Sequence, residues 1–148
     1  MIVRVAAFTA KGLALARRLG EAERPERVME WTRRAFREAE ALIFVGAAGI
    51  AVRAIAPHVR DKARDPAVVV LDEAGKFVVP ILSGHIGGAN ELARQIARQI
   101  GATPVITTAT DVNGLPAIDE WAARAGLAIE NPRASAPFAA AELAGERV

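Results

Sequence analysis

The chain has 148 residues, enough for one compact domain, and 52% of them are hydrophobic while 5% are aromatic, which indicates an aliphatic core. It contains no cysteine, which excludes disulfides, thiolate metal ligands and cysteine nucleophiles and fits a reducing, cytoplasmic location. A net charge of +2 without a dense basic tract argues against nucleic acid as a partner, and no apolar run or signal peptide suggests a membrane.

The first half of the sequence alternates apolar strands with helices. A run with little polar content at 2–8 predicts a buried strand, and "LALARRLG" at 13–20 predicts a short helix that ends at a glycine. Apolar residues recur at helical spacing over 25–39. "ALIFV" at 41–45 predicts a second buried strand, and "IAVRAIA" at 50–56 predicts the helix that follows it.

The second half begins with two strands close together. They are predicted at 67–72 and 77–82, and the short turn between them suggests an antiparallel hairpin. Pro80 predicts that the second strand lies at a sheet edge or is irregular. The later elements are, in order, a helix at 87–100, a strand at 103–108, a helix at 118–126 and a final strand at 127–131.

These elements predict an α/β fold, an open and mainly parallel sheet with helices on both faces and one antiparallel hairpin. Residues 1–131 are expected to form a single α/β domain, and 132–148 a linker or loose C-terminal tail. In such sheets ligands bind at the carboxyl ends of the strands. The loops that follow predicted strands and carry glycine or hydroxyl groups are 9–12, 46–49, 83–88 and 108–113.

The loop at 83–88 carries the most unusual composition. Glycines let a backbone approach a ligand closely, and the N-terminus of the following helix offers N–H groups to an anion. His85 is the candidate general base or acid, because imidazole titrates near neutral pH. The other candidates here are Ser83, Gly84, Gly87, Gly88 and Asn90. Alternatively, the glycines only permit a tight turn and His85 forms local hydrogen bonds.

Two further loops are ambiguous. "GAAG", with Gly46 and Gly49, stands between a strand and a helix but lacks the rest of the dinucleotide fingerprint, so close backbone packing competes with ligand binding. The segment at 53–65 is either a solvated charged loop or a polyanion site, diluted by Asp61 and Asp65. Its basic side chains are Arg53, His58, Arg60, Lys62 and Arg64.

Polar side chains also follow the strand predicted at 103–108. Thr108 and Asp111 lie in this loop, where Asp111 is expected either to orient His85 or to cap the next helix. Asp119 is the predicted N-cap of the helix at 118–126. The two histidines are far apart in sequence and lack metal-ligand spacing, so no metal site is expected.

Taken in order, two segments resemble the N-terminal part of the cobalt-precorrin-5A hydrolase family of cobalamin biosynthesis. They read "VGAAGIAVRAIAPHVRDKARDPAVVVLDEAGKFVVPILSGHIGGANELARQIA" and "GATPVITTATDVNGLPAID". The similarity runs from Leu42 to Asp119. It implies hydrolytic opening of the δ-lactone of cobalt-precorrin-5A, with release of acetaldehyde and formation of cobalt-precorrin-5B. No cofactor is implied, because the cobalt arrives in the macrocyclic substrate.

Given this reaction, His85 is the expected base, and Asn90 and the N–H groups around Gly87 and Gly88 are expected to stabilise the oxyanion. Thr108 or Asp111 would orient the histidine or the water. Arg53 and Lys62 are expected to bind the substrate's carboxylates, together with Arg60 and Arg64. The glycines and Ser83 would let the macrocycle approach the backbone closely.

Members of this family usually continue into a C-terminal domain, whereas this sequence ends at Val148. We therefore expect a fragment, a domain completed by a partner chain or by homodimerisation, or a stand-alone domain. One alternative is a non-catalytic tetrapyrrole-binding module that needs a separate C-terminal domain. An unrelated nucleotide-binding protein and a structural or assembly role are the other two.

Overall fold

A computed structural model describes residues 1–115 and 118–147 of the chain, and the side chain of Asp119 also lies outside the described residues. The chain divides into two compact units, Met1–Val105 and Ile106–Val148. The predicted boundary at residue 131 stays a prediction. The predicted linker or tail contains a 3-10 turn, Pro132–Ala134, and a nine-residue helix, Ser135–Leu143.

The first unit is built on a six-stranded sheet. Its strands are β1 (Val3–Ala7), β2 (Ala22–Glu23), β3 (Ala41–Val45), β4 (Ala67–Leu71), β5 (Phe77–Leu82) and β6 (Thr103–Pro104), in the spatial order β2-β1-β3-β4-β5-β6. Strands β2, β1, β3 and β4 are parallel, β5 is antiparallel to β4, and β6 is parallel to β5. The predicted mainly parallel α/β sheet and its single hairpin are therefore confirmed.

Seven α-helices lie within the described residues. They are α1 (Ala10–Ala16), α2 (Val28–Glu38), α3 (Ala48–Ile55) and α4 (Ala89–Ile100) in the first unit, and α5 (Ala109–Val112), α6 (Ile118–Arg124) and α7 (Ser135–Leu143) in the second. Helices α2 and α3 pack with Leu42, Phe44 and Val68 in one hydrophobic cluster. Helix α1 packs against the other face, where Gly12 lies beside Val45. Both faces of the sheet are covered, as the buried strands predict.

Strand and helix boundaries differ from the predictions where local signals are weak. Helix α1 begins at Ala10 because the Thr9 hydroxyl accepts the Gly12 N–H at 3.0 Å, an N-cap that lies within the predicted loop at 9–12. The sequence pattern does not predict the short strand β2. The strand predicted at 127–131 is wrong, since the described part of the second unit contains no strand for it to pair with.

The irregularity predicted from Pro80 is confirmed. The β4–β5 register shifts between Val68 and Val69, and Pro80 pairs with Val69 immediately beyond that shift. Strand β6 pairs only with Phe77 and Val78 of β5, so the pairing does not extend to Pro80. Proline has no N–H to donate, and at position 80 of β5 no strand on the β6 side needs one.

Candidate active site

The direction of β5 decides which loops can share a site. Because β5 is antiparallel to β4, the loop at 83–88 lies at the edge of the sheet where β1, β3 and β4 begin. The loop at 46–49 follows β3 and lies at the opposite edge. The loops at 46–49 and 83–88, which both follow strands, therefore lie at opposite edges, because the hairpin reverses the chain before residue 83.

The edge that carries the 83–88 loop also carries the charged segment before β4. Asp65 links the two, because its carbonyl oxygen accepts a hydrogen bond from the Ser83 hydroxyl at 3.0 Å. Its carboxylate accepts the backbone N–H groups of Arg60 and Asp61, at 2.7 and 3.0 Å. Asp65 is only 9% exposed, so it fixes the charged segment against the loop that contains His85.

The 83–88 loop is a hydrogen-bonded turn. Ser83 has a φ of 56°, which starts the turn, and its carbonyl accepts the Ala89 N–H at 3.1 Å. The Gly88 N–H donates to the His85 carbonyl at 3.0 Å, and Gly88 itself has a φ of 81°. These hydrogen bonds join the first residue of α4 to the loop and fix the backbone of His85 in the turn.

Two glycines in this loop have close neighbours, and Gly87 is the one whose added Cβ would meet backbone atoms. A Cβ on Gly87 would lie 2.4 Å from the Ser83 Cβ, and one on Gly84 would lie 2.9 Å from the Asn90 Oδ1. Asn90 is 2% exposed, so its amide packs inside the loop. The burial of Asn90 supports a role in holding the loop, while its contact with an oxyanion stays a prediction.

The groups that can reach a substrate are therefore few. His85 is half-buried and its side chain or backbone interacts with another residue of the chain. The N–H of Gly88 is used in the turn, whereas those of Ile86 and Gly87 have no acceptor within the described part of the chain. A half-exposed imidazole beside two such N–H groups can activate water and stabilise a developing negative charge.

The basic side chains at this edge surround a cavity. Its volume is about 260 Å³, and it is lined by Phe36, Arg37, His58, Arg60, Arg64, Asp65 and Pro66. Of the residues predicted to bind carboxylates, Lys62 is exposed in the same segment and makes a contact within the chain, while Arg53 is exposed on α3. Sequence reasoning missed Arg37 and Asp65, since their proximity depends on the fold.

Gly46 and Gly49 belong to the opposite edge and have different surroundings. A Cβ on Gly46 would lie 2.9 Å from Phe8 Cδ2, and the Gly46 N–H donates to the Leu71 carbonyl at 2.9 Å. Close packing explains this glycine. Gly49 lies near the start of α3, and a Cβ added to it would have no neighbouring atom within 4 Å, so no contact requires a glycine there.

Thr108 and Asp111 belong to the second unit. The Thr108 hydroxyl donates to the Asp111 carboxylate at the start of α5. Thr108 is the N-cap residue of α5, but its side chain forms no capping hydrogen bond with the helix backbone, and the capping of the helix at 118–126 by Asp111 stays a prediction. The orientation of His85 by Asp111 stays a prediction.

The described residues contain neither a group of side chains suited to a metal ion nor a helix that could span a membrane. Among residues 1–115 and 118–147, no group of three or more His, Cys, Asp or Glu side chains is placed to hold a metal ion. None of the helices in that part of the chain is long and apolar enough to cross a membrane.

Comparison with known proteins identifies relatives of this chain. The family model described as "Cobalamin synthesis G N-terminal" matches residues 30–111. The cobalt-precorrin-5A hydrolase of Salmonella typhimurium is 61% identical over 90 residues, which cover 61% of this chain and 26% of that protein. The cobalt-precorrin-5A hydrolase of Priestia megaterium is 43% identical over 113 residues, or 76% of this chain and 30% of that protein.

A solved structure resembles the fold. The crystal structure of a cobalamin biosynthesis protein G homolog from Sulfolobus solfataricus matches with a TM-score of 0.62 and 25% identity, covering 94% of this chain and 45% of that one. The chain spans less than a third of the length of the curated relatives it matches. The matched residues 30–111 include both the charged segment and the loop around His85.

Proposed function

Because the chain belongs to the cobalamin synthesis G N-terminal family, we propose that it takes part in opening the δ-lactone of cobalt-precorrin-5A. The observation that carries this proposal is the family match over residues 30–111, which contain the His85 loop and the charged segment fixed to it by Asp65. The site combines a titratable group, backbone N–H groups and cationic side chains at one edge of the sheet.

In the proposed reaction, His85 takes a proton from water as the oxygen attacks the lactone carbonyl carbon. The negative charge that develops on the carbonyl oxygen is stabilised by the N–H groups of Ile86 and Gly87. Cleavage of the acyl C–O bond leaves a carboxylate and an alcohol. The hydroxyl group then loses its proton, and the bond between the alcohol carbon and the macrocycle breaks. The alcohol carbon becomes the carbonyl carbon of acetaldehyde, and the ring carbon keeps the electron pair and takes up a proton.

Neither a metal nor an organic cofactor of the protein enters this proposal, because the cobalt is part of the substrate. We further propose that the complete site includes residues of a second section, either a C-terminal domain on a partner chain or a second copy of this chain. This follows from the greater length of the curated relatives. A cytoplasmic setting is part of the same proposal.

The test is to incubate the chain with the cobalt lactone precursor and to assay acetaldehyde, with and without the C-terminal section of a relative. We expect acetaldehyde from the combined sections. His85→Ala should lower its rate by about a hundredfold or more, because a general base is lost. A rate close to that of the unaltered chain would eliminate His85 as the base.

The alternative function is a non-catalytic tetrapyrrole-binding module. The exposed basic side chains around the cavity favour binding, since they do not depend on the chemistry at His85. If the chain binds the lactone precursor but releases no acetaldehyde in either condition, the alternative replaces the hydrolase.

A further inference from the structure

We infer that the cavity between the end of α2 and the segment before β4 is a subsite for one carboxylate arm of the macrocycle. This rests on the proposed function, which supplies a substrate fringed with acetate and propionate groups. The cavity has a volume of about 260 Å³. We call it the arginine cavity, and its cationic residues are Arg37, Arg60 and Arg64.

The three arginines that line the cavity have no anionic partners among the described residues. Elsewhere in the chain, Arg4 pairs with Glu23 and Arg98 pairs with Glu91. By contrast, Arg37, Arg60 and Arg64 form no ion pair or side-chain hydrogen bond within the described part of the chain. Several arginines along one cavity favour an anionic ligand, and their forked donors match the geometry of a carboxylate.

The acidic residues of the same segment are hydrogen-bonded to its backbone and not to the arginine side chains. The Asp65 carboxylate accepts the N–H groups of Arg60 and Asp61. The Asp61 carboxylate accepts the N–H of Ala63 at 2.9 Å. Both carboxylates therefore accept backbone N–H groups, and neither forms an ion pair with an arginine within the described part of the chain. In sequence the segment looks nearly balanced in charge, but its exposed side chains are mainly cationic.

The remaining walls suit the methylene groups of such an arm. The Phe36 and His58 rings are half-buried, with centroids 5.7 Å apart. Phe36 and Pro66 are the apolar residues of the lining. Since Asp65 lines the cavity and also holds Ser83, an arm bound here would keep the ring near the His85 loop.

The test uses uroporphyrin, an octacarboxylate macrocycle, and its octaamide, which has the same ring without the charges. Binding to the whole chain is measured by calorimetric titration at low salt and at about 0.5 M NaCl, where surface charges are strongly screened. We expect uroporphyrin to bind more tightly than the octaamide, and salt to weaken only the former. The double variant Arg60→Gln with Arg64→Gln should weaken uroporphyrin binding by on the order of tenfold.

Arg27→Gln is the matched control, because Arg27 is exposed at the other end of α2. Equal affinity of the control and the double variant for uroporphyrin, with both folded by circular dichroism, would overturn the subsite. So would acetate or inorganic phosphate binding at the cavity as tightly as uroporphyrin, since a free anion would then be the ligand. Normal uroporphyrin binding without acetaldehyde release would instead contradict the hydrolase proposal and leave the subsite standing.

Discussion

At the scale of single residues, Ser83 has a strained backbone conformation and forms hydrogen bonds to two other parts of the chain. Its φ of 56° is a conformation that side chains other than glycine adopt at a cost of about 1–3 kcal/mol. The hydroxyl compensates by donating to the Asp65 carbonyl, and the Ser83 carbonyl accepts from Ala89. The strained residue therefore lies where the charged segment, the His85 loop and the start of α4 meet.

Gly87→Ala should destabilise this loop. The added Cβ would lie 2.4 Å from the Ser83 Cβ and 2.8 Å from its carbonyl oxygen, so the backbone must shift. We expect the free energy of unfolding, measured with urea, to fall by about 1–3 kcal/mol. An unchanged free energy would show that the loop is not packed as described.

Gly49→Ala is the contrasting substitution. Gly49 lies in α3 without a neighbour within 4 Å of an added Cβ, so the methyl group meets open space. Alanine should raise the free energy of unfolding by about 0.5 kcal/mol, because it favours a helix more than glycine does. A loss of more than about 1 kcal/mol in the same urea experiment would contradict the surroundings described for Gly49.

At the scale of elements, the short strand β2 is held by an ion pair. Glu23 accepts a hydrogen bond from the Arg4 Nε at 2.9 Å. Partial burial raises the pKa of Glu23, but the hydrogen bonds from Arg4 and the charges of Arg4 and Arg34 lower it by more, so it lies below its usual 4.5. The paired, charged form is thus favoured in the folded state.

The expected pH dependence follows from this lowered pKa. Ionised Glu23 contributes stability above the unfolded value, and that contribution is lost as the pH falls below about 4.5 through the folded pKa. Glu23→Gln should therefore cost less than about 1 kcal/mol at about pH 7, because the pair is partly exposed, and less still near pH 3. An equal cost at both pH values, by urea unfolding, would exclude this linkage.

Some elements can be predicted from local pattern alone and others cannot. Strand β3 matches the apolar run at 41–45, and α4 ends at Gly101 with a φ of 74°, as its sequence predicts. Strand β2 lacks such a pattern, because it forms through backbone pairing with β1. The periodicity of hydrophobic residues identifies helices and strands that bury side chains, but it does not identify a two-residue strand at a sheet edge.

At the scale of the whole molecule, the sequence indicates the composition of the site better than its arrangement. The short turn after β4 predicts the hairpin, and the hairpin in turn implies that the loop after β5 lies opposite Gly46. The arginine cavity cannot be predicted, because Arg37 comes from α2 and its other arginines precede β4. The orientation of the Asp61 and Asp65 carboxylates likewise requires three-dimensional contacts.

The most direct measurement is hydrolysis of the cobalt lactone precursor in ¹⁸O-labelled water by the chain together with the C-terminal section of a relative. Mass spectrometry should find one ¹⁸O atom in the new carboxylate of the macrocycle, in an amount equal to the acetaldehyde released. Both should fall together in His85→Ala. Acetaldehyde release without label in the macrocycle, or with full label in His85→Ala, would contradict hydrolysis by a base at this edge of the sheet.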